Sequence, residues 1–180
     1  MAQGLGLSVL ARAHHESLND NYSKILWRAW TSMQKEINDG GVIFKDDHGN
    51  LWIEEYIVNP PTHILNGFIW GLWGVYDVWK FFDNNEAKDL FNNCCRTLEN
   101  NLKKYDLGYW SLYEQSGLNS PMIASPFYHD LHIVQLKILF NLTNNKYFSS
   151  TSEKWKQYKF SKINFYRALF KKSIFKLRYY

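Results

Sequence analysis

Cysteine is scarce in this chain. The 180 residues hold two, Cys94 and Cys95, side by side. A bridge between chain neighbours is strained, so the pair reads as reduced packing thiols; a disulfide framework and a cysteine-held metal are both excluded. Proline occurs four times, at Pro60-Pro61, Pro121 and Pro126, and each occurrence marks a break or a loop. No run approaches the roughly 20 apolar residues that a membrane-spanning helix needs. The start, Met1 to Ala13, has no basic residues ahead of its apolar part, so it does not read as a signal peptide, and a cytoplasmic location is expected. Acid is missing from the end of the chain: Lys154 to Arg178 carries nine basic residues and no carboxylate. That stretch reads first as a solvated helix face and second as a surface for an acidic polysaccharide. The net charge of +4 is mild, and no nucleic-acid partner is expected.

Aromatic residues are what the chain has in excess, with eight Trp, twelve Tyr and twelve Phe. Most must fill a core, which a chain of this length is able to bury. So many also suit a cleft that stacks on sugar faces.

Helical periodicity dominates. Leu5, Val9, Arg12 and Ala13 belong to a first short helix. Tyr22, Ile25, Leu26, Ala29, Trp30, Met33 and Ile37 form an amphipathic face behind an Asn19-Asp20 cap, with Asp39-Gly40-Gly41 as the stop. Val42-Ile-Phe44 and Leu51-Trp-Ile53 flank Asp47-His-Gly-Asn50 as a short hairpin. After Pro60-Pro61, Thr62 is the expected cap of a buried helix from about His63 to Phe82. Further helices are expected along Ala87–Leu102, His129–Leu142, Lys146–Tyr158 and Lys162–Leu177, with a turn and a short strand in Tyr105–Tyr113 and a loop at Asn119-Ser-Pro121. The fold class is therefore mainly α. Residues 1–180 read as one domain of helical hairpins, with 160–180 as a basic helical tail and function on the loops.

Chemistry-bearing residues concentrate in Tyr105-Asp-Leu-Gly-Tyr-Trp-Ser-Leu-Tyr113 and Pro126-Phe-Tyr-His-Asp-Leu-His-Ile-Val-Gln-Leu136, with Glu54-Glu-Tyr-Ile57 and Leu65-Asn-Gly-Phe68 upstream. Aromatic rings, hydroxyls, amides and carboxylates are what a carbohydrate site uses to hold sugars and move protons. His129 and His132, three apart, share a helix face. A third metal ligand is not evident, so they read as core or supporting histidines, and no metal or cofactor is expected. Glu54 and Glu55 alternate in an extended segment, so one faces the site, expected to be Glu55, and the other is expected to be solvated.

The order of these segments resembles the C-terminal domain of D-glucuronyl C5-epimerase. That family carries Met-Ala-Gln-Gly, Gly-Gly, Glu-Glu-Tyr-Pro, Val-Leu-Asn-Gly-Phe, Tyr-Asp-x-Gly and Tyr-His-x-x-His-Ile-x-Gln-Leu. Here they stand as Met1-Ala-Gln-Gly4, Gly40-Gly41, Glu54-Glu-Tyr-Ile57, Ile64-Leu-Asn-Gly-Phe68, Tyr105-Asp-Leu-Gly108 and Tyr128-His-Asp-Leu-His-Ile-Val-Gln-Leu136. The resemblance runs from Met1 to about Trp155. It implies an incomplete (α/α) toroid and an isomerase that inverts C5 of glucuronate units in a heparan-like polysaccharide. It implies Glu55, Tyr113 and Tyr128 as catalytic candidates, with Tyr128 opposed to either Glu55 or Tyr113. Tyr56, Asn66, Tyr105, Trp110, His129 and His132 are the residues expected to bind or orient substrate. The expected partner is a uronate-containing polysaccharide, and a homodimer is left open.

Two departures matter. The Pro of Glu-Glu-Tyr-Pro is Ile57. An Arg that animal members carry three residues after the tyrosine matching Tyr113, suited to a uronate carboxylate, is Ser116. Either another base takes its place, with His129 or a protonated His132 as candidates, or the substrate differs, or the chain is a glycan-binding module without turnover. A polysaccharide lyase is a close variant of the enzyme reading, because the same C5 carbanion expels a group at C4.

Overall fold

A computed structural model describes residues 1–117 and 121–179. The expected loop at Asn119-Ser-Pro121 falls largely outside the described residues. Among these the chain is mainly helical, with seven α-helices and one two-stranded sheet. It forms two compact units: Met1–His63 with Gly67–Leu98, and Ile64–Asn66 with Glu99–Tyr180.

In the first unit, helices α1 (Ala2–Ser17) and α2 (Asp20–Met33) pack as a hairpin. The Asn19 side chain caps α2 by accepting the Asn21 N–H, as the sequence predicts. The helix ends earlier than expected, at Met33, and Ile37 sits in a separate 3-10 turn, Ile37–Asp39. The reason is competition for backbone partners: the Lys35 carbonyl accepts the Val42 and Ile43 N–H groups, at 3.1 and 3.0 Å, which removes it from any helix. Strands β1 (Ile43–Lys45) and β2 (Leu51–Ile53) pair antiparallel, Phe44 opposite Trp52. The Asp46 carboxylate organises their turn by accepting from the His48 and Asn50 N–H groups, the Asn50 amide and the Trp52 indole.

Helix α1 is longer than expected and buries Gly4, Leu7 and Ala11, while Val9 is exposed. Its seam is glycine against glycine. A methyl group on Gly4 would stand 2.6 Å from the Gly71 Cα, and one on Gly74 would stand 2.1 Å from the Gly4 carbonyl oxygen. Helix α3 (Leu65–Phe82) therefore meets α1 backbone to backbone, a contact that an apolar pattern does not reveal. Helix α3 starts two residues later than expected. Thr62 is not its cap, since its buried hydroxyl has no hydrogen-bond partner among the described residues. Helix α4 (Asn85–Asn101) follows the expected register, with Asn84 accepting the Ala87 N–H at 2.7 Å.

In the second unit, a 3-10 turn at Leu102–Tyr105 leads into a link of short bridges, Asp106 with Ser111 and Leu112 with Ile123. Helix α5 (Pro126–Thr143) opens with Pro126 in its first turn and the Ser125 side chain on the Tyr128 N–H. Helix α6 (Lys146–Phe160) packs on α5, and α7 (Lys162–Tyr179), the basic tail, packs on α6. A cluster of Tyr109, Trp110, Ile123, Ala124 and Ala168, with Tyr113, Tyr128 and Phe165 at its margin, ties α7 to the bridged link.

Candidate functional site

The site begins with the non-helical link of the second unit. Tyr105 and Trp110 are fully buried, and the Trp110 indole donates to the Ala124 carbonyl at 3.0 Å, pinning the two sides of the link. Asp106 fixes the turn between them. It accepts from the Gly108 N–H at 2.7 Å and the Tyr158 hydroxyl at 3.2 Å, and pairs with Lys154 at 2.8 Å. Burial works against its charge, but the bonds from Lys154 and Gly108 prevail and hold its carboxyl below the usual range.

Helix α5 places Tyr128, His129 and His132 against this link. The His129 ring stacks on Trp110 with centroids 3.8 Å apart. Its Nε2 donates to the Trp155 carbonyl at 3.0 Å, which leaves Nδ1 as the acceptor. The Ser111 hydroxyl bridges both rings, 2.8 Å from His129 Nδ1 and 3.0 Å from His132 Nδ1. Both histidines are fully buried, and His132 Nε2 has no partner among the described residues. Burial pushes His129 down to about 4 and, with His129 beside it, His132 down to about 3. Both are neutral at pH 7, so neither supplies the positive charge that the Arg-to-Ser116 departure raised as a question. Among the described residues no group of three His, Cys, Asp or Glu side chains is placed to hold a metal ion.

Tyr113 and Tyr128 meet at the edge of this cluster. Their rings are in edge contact, centroids 4.8 Å apart at 62°, and both are half-buried. Asn66, also in this unit, is buried; its backbone carbonyl accepts from Gln135 at 3.1 Å while its side-chain oxygen has no partner among the described residues. Ser116 donates to the buried carboxylate of Glu114 at 2.6 Å. Thus Asn66, Tyr105, Trp110, Tyr113, Tyr128, His129 and His132 come together, with the two tyrosines as the accessible members.

Glu55 and Tyr56 belong to the first unit. There Glu54 is buried rather than solvated, which corrects the expectation for that residue. Its carboxylate accepts the His63 N–H at 3.2 Å and holds His63 Nδ1 at 2.5 Å, and the His63 ring stacks on Trp52 at 4.1 Å. Nothing in the sequence marks this pair, because the segment Pro60-Pro61-Thr62 is what turns His63 back onto Glu54. Glu55 is half-buried and lines a cavity of about 360 Å³ with Gly4, Gly40, Gly41, Val42 and Ile57. Its Oε2 atom has no partner among the described residues and lies where a Gly67 side chain would start, 2.0 Å from the place a Cβ would take. Gly67 of the Leu-Asn-Gly-Phe segment is thus the space that the carboxylate occupies. Tyr56 is exposed.

The architecture is that of a helical-hairpin protein whose polar chemistry stands on its non-helical links and on one helix start. The chain belongs to the D-glucuronyl C5-epimerase C-terminus family, whose model matches residues 1–157. It is 32% identical to D-glucuronyl C5-epimerase of Caenorhabditis elegans over 177 residues, covering 90% of this chain and 29% of that protein. It is 25% identical to an uncharacterised protein of Methanocaldococcus jannaschii over 154 residues, covering 84% of this chain and 49% of that protein. The chain therefore spans about a third to a half of the length of these curated relatives.

Proposed function

We propose that this chain carries the proton-transfer site of a uronyl C5-epimerase, inverting C5 of glucuronate units in a polysaccharide, on helical hairpins that form part of an (α/α) toroid. The observation that carries the reading is the edge contact of two half-buried tyrosines, Tyr113 and Tyr128, in a member of this family. The two stand at the margin of the core, in the same unit as the buried Ser111–His129–His132 cluster.

The chemistry sets the demands. The C5 hydrogen is weakly acidic because its loss builds charge beside a carboxylate. One group removes the C5 proton and leaves the electron pair in an enediolate; a second group returns a proton to C5 from the other face. Composition does not change and no redox partner is needed. Tyr128 is one of these groups. Tyr113, which meets it in the same unit, is the other. A phenol near its ordinary pKa of about 10 requires hydrogen bonds or a nearby cation to serve as a base at neutral pH. Tyr56, exposed and aromatic, suits the face of a sugar ring. Asn66, Tyr105, Trp110, His129 and His132, being buried, would orient the tyrosines and the link rather than stack on the polymer.

The test is isotope exchange: a glucuronate polymer incubated with the protein in heavy water gains deuterium at C5, with a fraction of units inverted. Unsaturated chain ends absorbing in the ultraviolet would mark a lyase instead. Bound polymer without deuterium would mark a glycan-binding module.

A further inference from the structure

The basic tail brings Lys172 to the Tyr113 side of the tyrosine cluster. Lys172 of α7 is half-buried, unlike the other lysines of the helix, which are exposed. Its Nζ donates to the Ile123 carbonyl at 2.8 Å and stands 5.9 Å from the Tyr113 ring centroid and 5.5 Å from that of Phe175. An ammonium has three hydrogens to give, and one carbonyl takes one of them. No carboxylate lies within ion-pairing distance of it among the described residues; the nearby Glu114 is buried and already accepts from Ser116. Burial, together with Lys176, holds the Lys172 ammonium below the ordinary lysine range against the pull of Glu114. A partly desolvated cation with spare donors is one that an incoming anion would satisfy.

We infer that Lys172 is the anchor for the carboxylate of an acidic sugar at the Tyr113–Tyr128 edge. The inference rests on the reading of that edge as the uronate site. Residue 172 lies beyond residues 1–157, so the family match does not assign it. Ser116, the position where the resemblance leads one to look for a base, is occupied with Glu114. The cation therefore comes from a different element, the last helix. Arg167, on the same helix, is exposed and lies over the Tyr109 ring at 3.8 Å, whereas Lys172 is the half-buried cation near the Tyr113 ring.

The test compares a glucuronate-containing hexasaccharide with its carboxyl-reduced, neutral counterpart, binding measured by calorimetry on the full chain. The unmutated chain is expected to prefer the acidic form by about tenfold or more, the worth of one charge-assisted pair. Lys172→Met keeps the apolar stem and should bring that preference to within about twofold while leaving affinity for the neutral form unchanged; Lys172→Arg should retain it. A role confined to packing would instead lower affinity for both sugars together with thermal stability. Should Lys172→Met fail to fold, side-chain NMR of lysine ammonium groups in the unmutated chain reads the same point: the Lys172 signal moves with the acidic sugar and not with the neutral one. An unchanged acidic preference in Lys172→Met, an absent preference in the unmutated chain, or a Lys172 signal that ignores the acidic sugar overturns the inference. Acid preference lost on Lys172→Met but without C5 exchange in the unmutated chain overturns the epimerase reading alone. C5 exchange that continues in Lys172→Met with unchanged KM overturns the anchor alone.

Discussion

The ring of Tyr113 meets the ring of Tyr128 edge-on, with centroids 4.8 Å apart and planes at 62°. One comes from the bridged link and the other from the first turn of α5, so the contact sets where α5 begins against the link. Edge contacts of this kind are worth about 0.5–1.5 kcal/mol through the rings and do not involve the hydroxyls. Tyr128→Phe should therefore cost under about 1 kcal/mol in a urea titration. Binding of a uronate oligomer should survive while turnover falls. Unfolding of the variant would assign the hydroxyl a structural role.

Gly67 and the Glu55 carboxylate occupy one place. Alanine in a helix interior ordinarily gains about 1 kcal/mol over glycine. Here its methyl would meet Glu55 Oε2, so Gly67→Ala is expected to destabilise by about 1–3 kcal/mol. Combining it with Glu55→Ala should recover most of that loss. The cycle is read from denaturant midpoints, and a simple stabilisation by Gly67→Ala would show that Glu55 is not held there.

Ser111 serves two rings with one hydroxyl. Ser111→Ala leaves His132 Nδ1 short of a partner in the core and His129 Nδ1 with only the residue 111 N–H at 3.3 Å, which should cost about 1–3 kcal/mol. Chemical denaturation checks the value, and a change below about 0.5 kcal/mol would mean that the rings re-pair without it.

The same two histidines fix an acid response. Their folded-state pKa values are depressed to about 4 and about 3, against an ordinary value near 6.5. The unfolded chain therefore binds protons that the folded chain refuses below about pH 6.5. Their contribution is complete above that pH and is lost as pH falls toward 4 and then 3. Stability should decline as pH falls from about 6 to about 4.5, by on the order of 1 kcal/mol per pH unit for each histidine. Asp106, also depressed, adds to the loss only below the ordinary carboxylate range, about pH 4. Midpoints measured at pH 7, 6, 5 and 4.5 test this; a flat profile would contradict the buried, neutral assignment.

Much of the fold was legible because helix faces and hairpin turns are local signals. The Asn19 cap, the hairpin turn at Asp47-His-Gly-Asn50 and helices α4 to α7 follow from spacing and capping residues, whereas the Asp46 carboxylate that organises the turn does not. What was not legible depends on partners distant in the chain. The buried face of α1 is set by Gly4 against Gly71 and Gly74, and glycine carries no hydropathy signal. Ile37 continues an apolar period, yet the carbonyl of Lys35 is taken by the strand that follows. Glu54 reads as a solvated neighbour of Glu55 until His63 folds back upon it. At the site, the tyrosines and histidines were legible as residue types in order. Lys172 was not, since nothing in a lysine-rich helix distinguishes the one whose Nζ reaches the Ile123 carbonyl.

The central claim is proton transfer at C5 by groups at the Tyr113–Tyr128 edge. A glucuronate polymer is incubated with the full chain in heavy water, and C5 is read by NMR. The account predicts deuterium at C5, inversion of a fraction of the units, and loss of both in Tyr128→Phe with polymer still bound. Polymer that binds across several uronate backbones, yet never gains deuterium at C5, would contradict it.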